Sequence, residues 1–196
     1  MKVGVIGSGG REHALCFSLK SCDKIKQIYC FPGNAGTNSI AINVNININD
    51  FEKLKDFILL NELDFIIIGP EKPLVDGIVD YLERFNIKVF GPNRVASQLE
   101  GSKIFTKKLC EKYKIPTAKF GIFSNLKTAL SFLQSCNFPI VVKADGLAAG
   151  KGVYISENFT EASEAVKEIF DGKFGRTENV LIEEFLNGEE MSFFII

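Results

Sequence analysis

The residue run with the most chemical content is Phe138-Pro139-Ile140-Val141-Val142-Lys143-Ala144-Asp145-Gly146-Leu147-Ala148-Ala149-Gly150-Lys151-Gly152. An apolar strand pattern ends in a lysine and flows into a loop of glycines and alanines that holds a second lysine. Small residues let backbone N–H groups come close to a ligand, and ammonium groups supply positive charge, a combination that suits the oxygens of a nucleoside triphosphate. Lys143 closes a buried-type strand and needs an anionic partner. A ligand is one candidate and Asp145 another; the plain alternative is a strand-end lysine in solvent. The glycine loop favours the ligand, although its spacing is not GxxxxGK[ST]. Farther on, Leu181-Ile182-Glu183-Glu184-Phe185-Leu186-Asn187-Gly188-Glu189-Glu190 leads an apolar strand into four carboxylates. In isolation that segment reads as a solvated acidic turn.

Gly7-Ser8-Gly9-Gly10 follows the first apolar run and opens a helical pattern. Helix N-termini present free N–H groups and the positive end of the helix dipole, so this loop is either a small-phosphate site or a tight structural turn. It is not a dinucleotide fingerprint. That motif needs a glycine where Glu12 stands and an acid about 20 residues on, where the second strand ends instead at Cys30-Phe31-Pro32. Gly33-Asn34-Ala35-Gly36-Thr37 follows the second strand, and Gly69-Pro70-Glu71-Lys72-Pro73 follows the strand at 64–68. Ligands of open α/β sheets sit at the carboxyl ends of strands. The convergence of these loops there predicts a pocket for a phosphorylated small molecule.

The elements that must position these loops are legible as periodicity. Strands at 2–6, 25–31, 64–68 and 87–90 alternate with helices at 11–20, 51–60 (capped by Asp50) and 74–85. This predicts a Rossmann-like open parallel sheet over residues 1–92. Asn43, Asn45, Asn47 and Asn49 alternate with Val44, Ile46 and Ile48, which fits either the period of a strand with one wet face or a chance enrichment of Asn and Ile, and the segment carries no functional weight. Then come a short helix at 93–100 and one capped by Ser102 that runs to 114 and stops before Ile115-Pro116. Strands follow at 119–123, 139–143, 153–156 (hairpin partner of 139–143), 179–185 and 191–196, with helices at 126–135 and 160–170.

The 196 residues are 46% hydrophobic, enough for one large or two small domains. A net charge of −1 gives no bulk attraction to nucleic acid or to an anionic membrane. No apolar run reaches bilayer length, and the start has no signal-peptide pattern. Cys16, Cys22, Cys30, Cys110 and Cys136 are scattered and odd in number, which predicts free thiols in a reducing cytoplasm rather than disulfides or zinc. His13, the sole histidine, excludes a multi-histidine metal site.

Together the motifs resemble the ATP-grasp superfamily and, within it, the phosphoribosylamine–glycine ligase (glycinamide ribonucleotide synthetase) family of purine biosynthesis. The resemblance rests on Gly7-Ser8-Gly9-Gly10-Arg11-Glu12-His13-Ala14-Leu15, Pro32-Gly33-Asn34-Ala35-Gly36-Thr37, and Gly69-Pro70-Glu71 with Pro73-Leu74-Val75. It continues through Gly91-Pro92, Gln98-Leu99-Glu100-Gly101-Ser102-Lys103, residues 141–152 and residues 183–192, in family order.

The resemblance implies an α/β chain in which the Rossmann-like domain is followed by a helical connector at 93–118 and the first lobe of an ATP-grasp α+β domain at 119–196. It implies that Lys103 and Lys143 bind ATP phosphates, and that Gly146, Gly150, Lys151 and Gly152 belong to a glycine-rich flap over them. Glu183, Glu184, Phe185 and Leu186 become a hinge whose backbone meets the adenine edge, and Glu190 binds the ribose hydroxyls. Gly9, Gly10, Arg11, Asn34, Gly36, Thr37, Pro70 and Glu71 help to hold 5-phosphoribosylamine. The implied reaction joins glycine to that amine with ATP, and the Mg2+ or Mn2+ ligands are expected beyond residue 196. The apolar end at Phe193-Phe194-Ile195-Ile196 then reads as an interruption within a longer enzyme, and this length of chain as inactive alone.

Two other readings compete. A nicotinamide-dependent oxidoreductase is disfavoured by the missing third glycine and ribose acid. A non-catalytic nucleotide-binding domain is compatible with this length of chain.

Overall fold

Continuous apolar runs mark strands covered on both faces, because neither side of such a strand can be left in water. In the computed structural model, which describes residues 1–147, 151–175 and 177–193, the first of these runs build one parallel sheet. Its strands are β1 (Lys2–Gly7), β2 (Gln27–Pro32), β3 (Ile42–Asn43), β4 (Phe65–Ile68) and β5 (Val89–Phe90), in the order β3-β2-β1-β4-β5. On one face Val5, Ile28 and Cys30 pack with Cys16 of α1 (Gly10–Lys20). On the other, Ile6, Phe31 and Ile66 meet Leu54 and Ile58 of α2 (Phe51–Leu60). Asp50 caps α2, its carboxylate accepting from Lys53 N at 3.1 Å.

Two sequence expectations change in this sheet. The helix expected at 74–85 is a pair, α3 (Glu71–Asp76) and α4 (Ile78–Glu83), separated by Gly77 at φ +94. A left-handed residue ends one helix and re-aims the next, so Ile78 and Leu82 reach the sheet core. The alternation at 43–49 is not a strand beyond Asn43. Val44, Ile46 and Ile48 do pack half-buried on the core, but the chain turns, with Asp50 N donating to Asn47 O at 2.9 Å. Period two here records inward and outward side chains without a ladder partner.

The chain divides into two units, Met1–Gly101 and Ser102–Ile196. Helix α5 (Arg94–Gly101) packs on α3 within the first. The second unit starts with α6 (Lys103–Tyr113), whose cap is Ser102, Oγ accepting from Phe105 N at 3.0 Å. Lys114 ends it in left-handed backbone at φ 55. There follow β6 (Phe120–Phe123), α7 (Leu126–Leu133), β7 (Ile140–Ala144), β8 (Val153–Ser156), α8 (Phe159–Phe170) and β9 (Val180–Glu184). The strands form an antiparallel sheet ordered β6-β9-β7-β8. Residues 191–193 form no strand, contrary to the expectation for 191–196, whose remainder lies outside the described residues.

Strand alternation divides the chemistry of this second sheet. Ile140, Val142, Ala144, Val180 and Ile182 share one face, where they pack on Ala129 and Leu133 of α7 and Val166 and Ile169 of α8. Val141, Lys143, Leu181 and Glu183 therefore point to the other face. None of the helices is long and apolar enough to cross a membrane among the described residues.

All five cysteines are free, Cys16 and Cys30 buried and Cys22 exposed. A hydrogen bond with Cys30, and then burial, pushes the Cys16 thiol up, and burial pushes Cys136 up. Since exposure and thiolate character set reactivity, native protein titrated with a disulfide reagent should show its fastest thiol at exposed Cys22, and Cys22→Ser should remove that fastest phase. An unchanged fastest phase in the variant would place the reactive thiol elsewhere.

Candidate functional site

The carboxyl ends of β1, β2 and β4 carry the three glycine loops, and the loops are tied to one another. Asn34 Nδ2 donates to Ser8 O at 2.9 Å and Gly9 O at 3.2 Å. Arg11 Nη1 donates to Gly69 O at 2.8 Å and to Glu71 Oε1 at 3.0 Å. The first N–H group of Glu71's own helix turn and then Arg11 hold the Glu71 carboxyl below the usual carboxylate range. Thr37, fully buried, accepts from Asn34 N at 2.7 Å and lies 2.8 Å from Asn43 Oδ1. Its own N–H donates to Asn34 Oδ1 at 2.9 Å.

Glu12 explains the missing third glycine. Its side chain folds back under the loop, buried, to accept from Gly9 N at 2.6 Å. A Cβ at Gly69 would lie 2.0 Å from Glu12 Oε1, and one at Gly7 would lie 2.6 Å from Glu12 Cδ. Glu12 stands where the dinucleotide fingerprint has the glycine that lets helix and strand pack closely, and its carboxylate fills the space beneath the loop instead. Ser8, Gly9, Gly10 and Arg11 remain exposed, so a negatively charged group can meet the start of α1 from outside. A separate cavity of about 300 Å³, lined by Lys20, Lys26, Ile40 and Ile42 among others, shares no residue with these loops.

In the second unit the register β7–β9 pairs Lys143 with Leu181 and Val141 with Glu183. Lys143 and Glu183 are thus diagonal neighbours on one face, within reach of long side chains. Lys143 Nζ donates to Glu183 Oε2 at 2.9 Å, and Lys107 Nζ of α6 stands 3.3 Å from the same oxygen. Glu183 is 5% exposed. Asp145, the sequence candidate for the partner of Lys143, lies past the end of β7 and does something else. Its carboxylate accepts from Ser102 Oγ at 3.0 Å and from Ile104 N at 3.2 Å, stitching the start of α6 to the loop. Lys103 Nζ donates to Gly146 O at 3.0 Å. Both lysines singled out from sequence therefore engage the strand-to-loop junction of β7 and its sheet face.

Two family profiles cover the chain. Residues 1–100 match the phosphoribosylglycinamide synthetase N domain, and residues 101–196 match the phosphoribosylglycinamide synthetase ATP-grasp (A) domain. The chain belongs to the phosphoribosylglycinamide synthetase family. Phosphoribosylamine–glycine ligase of Caldanaerobacter subterraneus is 48% identical over 99% of this chain and 47% of its own length. That of Brucella melitensis is 47% identical over 100% and 46%. A crystal structure of phosphoribosylamine–glycine ligase from Thermotoga maritima has a TM-score of 0.77 at 32% identity, over 96% of this chain and 45% of that one. The Staphylococcus aureus N5-carboxyaminoimidazole synthetase solved with ADP shares the fold, with a TM-score of 0.71 at 18% identity over 95% and 48%. The chain spans about half the length of the curated relatives it matches.

For a phosphoribosylglycinamide synthetase the remaining expected residues fall as follows. Glu184 accepts from Lys119 N at 2.8 Å, and its own N–H donates to Lys119 O. Phe185, Leu186 and Glu190 follow β9 in exposed chain. Lys151 is exposed, and Gly152 O accepts from Ala144 N at 2.8 Å; Gly150 lies outside the described residues. Gly36 opens the short 3-10 turn Thr37–Ser39, and Pro70 precedes α3.

Glu183 corrects the isolated reading of its segment, because it is a buried ionic residue rather than part of a solvated turn. Lys107 was missed outright. Its one sequence signal is a lysine four residues after Lys103, in a helix that must bury one face. Among the described residues no three His, Cys, Asp or Glu side chains gather to hold a metal ion, and Glu183 already holds two ammonium groups. The described residues do not form a metal centre.

Proposed function

We propose that this chain supplies the amino-terminal and nucleotide-binding parts of a cytoplasmic ligase that joins glycine to 5-phosphoribosylamine. The products are glycinamide ribonucleotide, ADP and phosphate. The observation that carries this reading is the placement of Lys103 and Lys143 around the β7 junction in a chain whose second unit is an ATP-grasp domain. A carboxylate does not acylate an amine unaided, because its oxygen is a poor leaving group. A glycine carboxylate oxygen attacks the γ-phosphorus of ATP and ADP leaves. The amine nitrogen then attacks the carbonyl carbon of glycyl phosphate, and phosphate leaves with the bonding pair.

In this reading Lys143 and Lys103 hold the triphosphate and offset the charge that gathers on the transferring group, where fixed cations act most strongly. Gly146, Lys151 and Gly152 belong to the segment that covers the phosphates, excluding water that would hydrolyse the acyl phosphate. Glu184, Phe185 and Leu186 meet the adenine edge and Glu190 the ribose. In the first unit, exposed Gly10 and Arg11 face the substrate phosphate at the start of α1, and Gly9, whose N–H is held by Glu12, shapes the loop beside them. Asn34, Thr37 and Glu71, whose side chains are spent on loop contacts, hold that surface in shape, with Gly36 and Pro70 setting the turns.

The test is a coupled ADP-release assay on the full-length protein with both substrates. ADP release that requires glycine and phosphoribosylamine together is the expected result. ATP binding with no substrate-dependent ADP release would instead favour a non-catalytic nucleotide-binding protein.

A further inference from the structure

Glu183 Oε2 is shared by two ammonium groups that are held very differently. Lys107 Nζ also donates to Thr117 Oγ1 at 2.6 Å and to Ala118 O at 3.3 Å, and it lies 5.5 Å from the centre of the Phe120 ring. Its side chain is 11% exposed. Lys143 is 24% exposed, and Glu183 is its one hydrogen-bond partner among the described residues. Glu183 Oε1 is buried and has no hydrogen-bond partner among the described residues. Among the described residues the carboxylate is thus held by cations on one oxygen only, one of them anchored by neutral acceptors as well and the other held by Glu183 alone.

We propose that Lys107 is a positioning residue for the triphosphate: it keeps the charge of Glu183 neutralised when Lys143 moves from that carboxylate to a phosphate oxygen. The inference rests on the reading of Lys143 as a phosphate ligand. A buried carboxylate stripped of its sole cation is strongly disfavoured. Were Lys143 alone against Glu183, leaving for the nucleotide would expose that penalty in full. With Lys107 fixed beside the same oxygen, Glu183 serves as a stand-in anion for Lys143 in the empty protein and releases it when the phosphates arrive. Lys107 touches no ligand; it acts through Glu183.

The experiment measures ATP affinity by titration calorimetry on the full-length protein, alongside thermal melting. Lys107→Met should lose about a hundredfold in affinity while melting close to wild type, because Lys143 still neutralises Glu183 in the empty state. Lys107→Arg, which keeps the charge, should stay within about tenfold of wild type. In a Glu183→Gln background the same Lys107→Met change should matter by less than about threefold, since there is no charge left to hold. That background also carries the test if Lys107→Met alone does not fold. Undiminished affinity in Lys107→Met, or a full loss that persists in the Glu183→Gln background, overturns the inference. A wild-type protein that does not bind ATP, or a Lys143→Met variant that binds it normally, defeats the phosphate-ligand reading itself and the inference with it.

Discussion

Lys143→Ala should lower ATP affinity by at least about a hundredfold, the equivalent of about 3 kcal/mol for removing a charge-assisted contact to phosphate. The loss should be far larger than any loss of stability. In the empty protein the deleted ammonium leaves Glu183 still 3.3 Å from Lys107, so the buried carboxylate keeps a cation. Folding therefore falls by about 1–3 kcal/mol at most, which a melt would register separately from binding. Lys143→Arg should not restore the site. The guanidinium is a planar fork, and the position offers one oxygen of a diagonal neighbour rather than two parallel acceptors. Affinity unchanged in Lys143→Ala, with the melt intact, would remove Lys143 from the phosphate site and leave it a structural partner of Glu183.

Much of the architecture follows from local patterns. Apolar runs without alternation gave β1, β2 and β4 as strands covered on both faces, and the turns after them placed three glycine loops at one edge. Capping residues were equally readable, since Asp50 and Ser102 each offer a side-chain oxygen one turn before an amphipathic stretch. Gly77 shows the limit of such reading. Periodicity continues through it, so a single helix was expected, but only the backbone angle at that residue decides that the axis breaks. The residues at 43–49 show a second limit, because alternation reports burial and says nothing of whether a neighbouring strand exists to pair with.

The chemistry was legible where it is local and hidden where it is tertiary. The run from Lys143 to Gly152 declares itself by composition. The union of Lys107, Lys143 and Glu183 does not, because it depends on the β7–β9 register and on which face α6 presents to that sheet. Asp145, one of the candidate partners of Lys143, stands apart from it for the same reason. Two positions after Lys143 it would share that residue's face if the strand continued, but β7 ends at Ala144, and the turn sends Asp145 to the start of α6.

Gly7→Ala should destabilise the first unit by about 3 kcal/mol, because two independent faults coincide at that position. The backbone there has φ +130, which an L side chain rarely adopts. The new Cβ would also lie 2.6 Å from Glu12 Cδ and Cγ. Glu12 cannot simply swing aside, since its carboxylate satisfies Gly9 N at 2.6 Å from a buried position. Glu12→Ala alone should cost about 1–2 kcal/mol through that lost cap. In the double variant the clash is gone while the backbone strain and the lost cap remain. Its cost should therefore fall short of the sum of the two single variants by about 1 kcal/mol or more. Urea unfolding of the three variants measures this directly, and strict additivity would show that the Gly7–Glu12 contact does not govern the loop. Because Gly7 O also accepts from Gly33 N at 3.2 Å, a displaced Gly7 pulls the first and second glycine loops apart. Weakened binding of a phosphorylated substrate at these loops should accompany the lost stability.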